Sequence, residues 1–258
     1  MPICCLCCKE NELKNSHAIP DTVFKKIFKG KDDSGKSIVV PGGGDNPVHY
    51  SSDSWDTLQL CGNCETLLNK NYEDYSIKVL RGALGQFKKH DIGVTFSQIN
   101  TSKLINFFIA VFWRAANSKH DSYSKVYIPE PWNKQIGEML LDIKTVPLKL
   151  ATVRLSRLID YTKNGGFSPQ HLRSIVMSPF FRKHDYGHFS FCFVFEGFFV
   201  EIFTPGLKIS ERKTRGVINK TANMIMVPFI DIFDVPEIEE CLVKGYGKHI
   251  DGHVTFES

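Results

Sequence analysis

The residues best equipped for chemistry in this sequence are its cysteines. Six of the eight lie in the first 64 positions: Cys4, Cys5, Cys7, Cys8, Cys61 and Cys64. The run CCLCC offers two overlapping C-x-x-C pairs, Cys4/Cys7 or Cys5/Cys8, and CGNC supplies Cys61/Cys64 without ambiguity. Two residues between thiolates let both sulfurs point at one ion from a tight knuckle. Four sulfurs at about 2.3 Å in a tetrahedron make a closed structural zinc site, which can contribute roughly 10 kcal/mol or more to folding a small module. A redox C-x-x-C would open a helix directly after a strand, and neither pair is expected to do so. Zinc held by Cys4, Cys7, Cys61 and Cys64 is therefore the expectation. Cys8 then takes a position where knuckles carry a small residue, and Cys5 points away. Cys192, inside HFSFCFVFEG, reads as a small core hydrophobe, and Cys241 stands alone.

Between the two pairs lie the other reactive side chains. The order C-x-L-C, then Ser16-His17-Ala18-Ile19-Pro20, then L-x-L-C-x-x-C-E resembles, over residues 3 to 75, the treble-clef HNH endonuclease superfamily. It is most similar to divergent bacterial members that carry Ser in place of the first His of HHxxP. The resemblance implies a ββα-metal module in which His17 is the general base and Ser16 stands where a metal-holding residue is usual. Asp56 stands where an Asn orients the base, and Glu65 where a His binds the catalytic ion. The activity so implied is phosphodiester hydrolysis with Mg²⁺ or Mn²⁺ at Glu65, on nucleic acid, DNA before RNA.

The chemistry is consistent on its own terms. A neutral imidazole, with an ordinary pKa of about 6.5, can take a proton from an attacking water at neutral pH. A hard divalent cation that neutralises the phosphate prefers carboxylate oxygens. The plainer alternatives are that His17 packs ahead of a helix begun at Pro20-Asp21, and that Glu65 is a first-turn acid favoured by the helix dipole. The matching alternative for the whole chain is a zinc-stabilised nucleic-acid- or protein-binding module that has lost catalysis.

Gly30 to Ser37, GKDDSGKS, fits the P-loop pattern. A P-loop needs a strand before it and a helix after it. Here DTVFKKIF reads as a helix and IVVPGGG as a broken strand, so a mobile polar loop is expected.

These residues need elements to position them. Helices are expected over 73–90, 100–118, 133–143 and 148–161; Arg114, near the end of the second, reads as a salt-bridge or cap residue. HFSFCFVFEGFFVEIF alternates with a period of two and reads as a hairpin turning at Glu196-Gly197, flanked by further strands, with PEIEECLVK a final helix. The expected architecture is α+β, with an N-terminal treble-clef zinc module over 1–75, central helices over 76–164, and a Phe-rich, antiparallel strand-rich part over 165–258.

Net charge is +4, but residues 1–80 hold 9 Lys+Arg against 11 Asp+Glu, so the basic excess falls C-terminally, compatible with a nucleic-acid partner. The longest apolar run, Phe107 to Trp113, is far shorter than the roughly 20 residues a membrane span needs. With no apolar leader at the start, the expectation is a cytoplasmic protein without a membrane partner.

Overall fold

A computed structural model describes residues 1–29, 37–40, 48–163, 166–250 and 254–255. The chain opens with a turn over residues 4–8, closed by the Cys4 N–H donating to the Lys9 carbonyl at 3.0 Å and by an Ile3–Glu10 bridge. Strand β1 (Leu13–His17) pairs antiparallel with β4 (Asp56–Cys61). Between them come helix α1 (Asp21–Phe28) and strands β2 (Ser37–Val39) and β3 (Val48–Ser51), the last two forming a small sheet with β12 (Val254–Thr255). Of the Gly30 to Ser37 segment only Ser37 lies within the described residues, where it opens β2.

Helix α2 (Gly62–Leu68) runs through one π turn into α3 (Asp74–Leu80). The helix expected over 73–90 thus starts and stops earlier, and residues 86–90 form strand β5 (Gln86–His90), hairpinned to β6 (Gly93–Ser97). Gly85 explains the break: its φ is +78°, and a Cβ there would meet the Ser97 carbonyl oxygen at 2.8 Å.

Helix α4 (Thr101–Ala116) matches its expected position, N-capped by Asn100, whose side chain accepts from the Lys103 N–H at 3.0 Å. Every residue from Leu104 to Ala115 is buried, so the apolar stripe is one face of a helix that is covered all round. The buried Asn106 stays satisfied by bonds to the Lys144 carbonyl and the Val146 N–H. Helix α5 (Trp132–Leu141) follows.

The helix expected over 148–161 is instead strand β7 (Thr152–Ile159), central in a seven-stranded sheet ordered β5-β6-β11-β7-β10-β9-β8. The other strands are β8 (Met177–Lys183), β9 (Phe189–Phe195), β10 (Phe198–Phe203) and β11 (Met224–Asp231); the short helix α6 (Pro169–Arg173) precedes β8 and α7 (Pro236–Ile250) follows β11. The sheet is antiparallel except where β11 runs parallel to β7. It draws β5, β6 and β7 from the stretch read as helical, so strands stand on both sides of residue 164.

One face of the sheet packs on α4 through aromatic pairs such as Phe108–Phe195 and Phe112–Phe193, with centroids 6.2 and 6.5 Å apart. This core is continuous with Leu6, Ile19 and Leu60 around the N-terminal cysteines. The other face carries a smaller core of Leu158, Val194, Phe199 and Ile238. At the β9–β10 turn, Glu196, only 2% exposed, accepts from Arg81 Nε at 3.1 Å and faces Lys26 Nζ at 3.5 Å. The hairpin tip is thereby tied to α1 and the end of α3.

Candidate metal centre and the histidine beside it

The first turn supplies Cys4 and Cys7, and the junction of β4 with α2 supplies Cys61 and Cys64, which lies in the first turn of α2. The four sulfurs lie within 4.8 Å of one another, a set of thiols that could hold a metal ion such as zinc. The Cys7 and Cys61 sulfurs are 3.9 Å apart. A disulfide needs about 2.05 Å, whereas the edge of a tetrahedron with 2.3 Å metal–sulfur bonds is about 3.8 Å. The spacing fits the ion and not the covalent bond. Cys5 and Cys8 are exposed, and Cys8 adopts the left-handed φ of 55° that closes the turn.

Backbone amides add to the fit. The Cys61 N–H donates to the Cys4 sulfur at 3.3 Å. Burial raises the Cys4 thiol, but N–H groups of Cys7, Cys61 and Leu6 outweigh it, and its pKa falls to about 7. Cys64 moves the other way, pushed up first by burial and then by the neighbouring Cys61 thiol and the Cys4 charge. Contrary to expectation, CGNC does join a strand to a helix. What separates it from a redox pair is the second pair of thiols brought against it.

Ser16 is 2% exposed, and its hydroxyl accepts from the Leu60 N–H at 3.1 Å across the β1–β4 pair. That bond lies beside the register shift at Lys14/Asn15. Its work is structural: a buried hydroxyl satisfies a strand amide at an irregular ladder.

His17 ends β1 directly opposite Asp56, the first residue of β4. Its side chain is 18% exposed. Nε2 shares a 2.9 Å hydrogen bond with Ser54 Oγ and lies 3.9 Å from Asp21 Oδ1. Among the described residues no side-chain hydrogen bond joins His17 to Asp56. The structure thus brings His17 and Asp56 together as cross-strand neighbours, and gives the imidazole a different orienting partner, Ser54.

Glu65 sits on α2 as expected, and its nearest charge is Arg114 of α4, Nη1 to Oε2 at 3.8 Å. That guanidinium is 3% exposed; it donates to Glu73 Oε2 at 3.0 Å and to the His17 carbonyl at 2.6 Å. Glu65 Oε1 and Arg114 Nε are buried without hydrogen-bond partners. Among the described residues, the four cysteines are the one convergent group of three or more metal-ligating side chains, so His17, Asp56 and Glu65 do not converge on one point. Sequence reasoning missed Ser54 and Glu73. The available signal was Arg114 itself, a charge directly after the apolar run Phe107–Trp113, which has to find carboxylates when buried.

No protein-family model matches the chain, and neither a curated protein nor a solved structure is similar to it. No helix among the described residues is long and apolar enough to cross a membrane.

Proposed function

We propose that this chain is a zinc-stabilised module of HNH-like build that binds nucleic acid without cleaving it. Zinc in the Cys4, Cys7, Cys61 and Cys64 thiolates fixes β1, β4 and α2 relative to one another, as a closed four-thiolate site does. The observation that carries the reading is Arg114. Its guanidinium is the positive charge facing Glu65, the carboxylate that the resemblance assigns to a catalytic cation, and it also bonds Glu73 and the His17 carbonyl. A buried arginine bonded to one carboxylate and facing a second opposes another cation there by like-charge repulsion at short range. The basic excess beyond residue 80 supports a polyanionic partner.

One observation favours the hydrolytic alternative: the buried Glu65 Oε1 lacks a donor, and Glu65, Glu73 and Arg114 together carry a net charge of −1. In that reading a Mg²⁺ or Mn²⁺ ion would neutralise phosphate charge. His17, held at Nε2 by Ser54, would take the water proton at Nδ1, and Asp56 would lie beside it.

The test is incubation of plasmid DNA and of RNA with the protein in Mg²⁺, in Mn²⁺ and in EDTA, alongside His17→Ala. The expected result is intact nucleic acid retained in a complex that weakens steeply with salt. Divalent-dependent cleavage lost in His17→Ala establishes the hydrolytic alternative, and failure to bind either polymer removes the nucleic-acid partner.

A further inference from the structure

On the sheet face turned away from α4, β7, β8 and β10 line an open groove of about 490 Å³. Its floor has an unusual composition for a sheet. Glu201 on β10 is 3% exposed and is gripped by Arg154 on β7, Nε to Oε2 at 2.6 Å and Nη2 to Oε1 at 2.8 Å. Arg182 on β8 is held in the same two-pronged way by Glu237 of α7, and its guanidinium lies over the Phe199 ring at 4.8 Å. Arg154 lies over Phe203 at 5.1 Å.

Both guanidiniums are therefore fixed before any ligand arrives, so little rotamer entropy remains to be lost on binding. In each, Nε and Nη2 serve the carboxylate, and Nη1 has no partner among the described residues. Ser156 Oγ, on β7 two residues beyond Arg154, is likewise unbonded among the described residues. His184, Thr214 and Arg215 also line the groove, and Arg215 makes no ion pair among the described residues, whereas the Lys183 side chain, next to Arg182 along β8, leaves the opposite face. Once Glu201 has offset Arg154 and Glu237 has offset Arg182, the Arg215 charge remains uncompensated.

We propose that this groove is a binding site for a phosphomonoester. An uncompensated guanidinium beside two pre-oriented ones suits a group that carries a charge of about −1.5 to −2 near neutral pH and offers three acceptor oxygens. The open donors are of the kinds that bind such oxygens, guanidinium N–H and a hydroxyl. The phosphate arrives either on a free mononucleotide or at the 5′ end of a nucleic acid strand; the recognised chemistry is the same. This inference stands apart from the reading of the N-terminal module, because it uses none of that module's residues.

Isothermal titration of the full chain with AMP, with a 5′-phosphorylated eight-nucleotide DNA and with the same strand ending in a 5′-hydroxyl tests it. Saturable binding is expected for AMP, for the phosphorylated strand, or for both, and which of them binds identifies the source. Arg215→Ala is expected to weaken that binding roughly ten-fold, with an unchanged thermal midpoint because the side chain is exposed and unpaired. Equal binding of the hydroxyl-ended strand, binding indifferent to that substitution, or no binding of either phosphorylated probe overturns the assignment.

Discussion

The cysteine module and the seven-stranded sheet hold themselves together by different means. Around Cys4 to Cys64 the elements are short: a five-residue strand, a six-residue strand and a seven-residue helix. They meet at four sulfurs. Around α4 the sheet buries Phe193, Phe195 and Phe198 almost completely and is held by apolar contact. Small elements cannot exclude enough water to order themselves, whereas a long buried helix against a sheet can. The difference would put a metal held by those sulfurs in charge of local order at one end, with apolar burial in charge at the other.

That contrast can be broken at the metal first, where the largest effect is expected. Cys61→Ser, or zinc withdrawal by a chelator, should remove most of the roughly 10 kcal/mol that such a site supplies. Hydrogen exchange should rise over 1–29 and 48–68 while β9 and β10 stay protected. Simultaneous loss of protection everywhere would make the two regions one cooperative unit.

Next comes the contact between them. Arg114→Met strips the cation from Glu65 and Glu73, and urea denaturation should show a loss of about 3–5 kcal/mol. Adding Glu65→Gln and Glu73→Gln should restore much of it, since the charges left stranded are then gone. A loss below about 1 kcal/mol from Arg114→Met alone would mean that water reaches those carboxylates.

The smallest effect is a pH dependence confined to the sheet. Burial holds His184 below the ordinary histidine value; Glu201 opposes this, and Arg154, Arg182 and His188 add to it. The unfolded chain therefore takes up the proton first. Stability is full above about pH 6.5 and declines as pH falls through the folded value. Urea midpoints at pH 7.5 and 5.5 should differ in the native protein by more than in His184→Gln; an equal drop in both would assign the decline to other groups.

Legibility in the sequence follows how locally each feature is determined. Helix α4 could be read because its apolar spacing and Asn100 cap are local. The β9–β10 hairpin could be read because alternating phenylalanines flank Glu196-Gly197, both at positive φ. Strand β7 escaped because both its faces are partly covered. Val153 and Leu155 point to the main core while Leu158 joins the smaller one, so the period of two blurs into helix-like spacing. The cysteine spacing announced the four-thiol cluster, but nothing local to Glu65 could show that a guanidinium from residue 114 faces it, since that pairing is made by tertiary packing alone.

The carboxylate at the hairpin tip has a mechanical meaning. Glu196 is shut away from solvent and draws its counter-charges from Arg81 and Lys26, which belong to helices on the cysteine side of the molecule. Should those helices loosen, the tip would be left holding a dehydrated anion it cannot keep. Loosening that reaches α1 or the end of α3 is thus felt at the turn itself, while the strands behind it keep their own burial, which makes Glu196 a strain gauge for the join between the two regions.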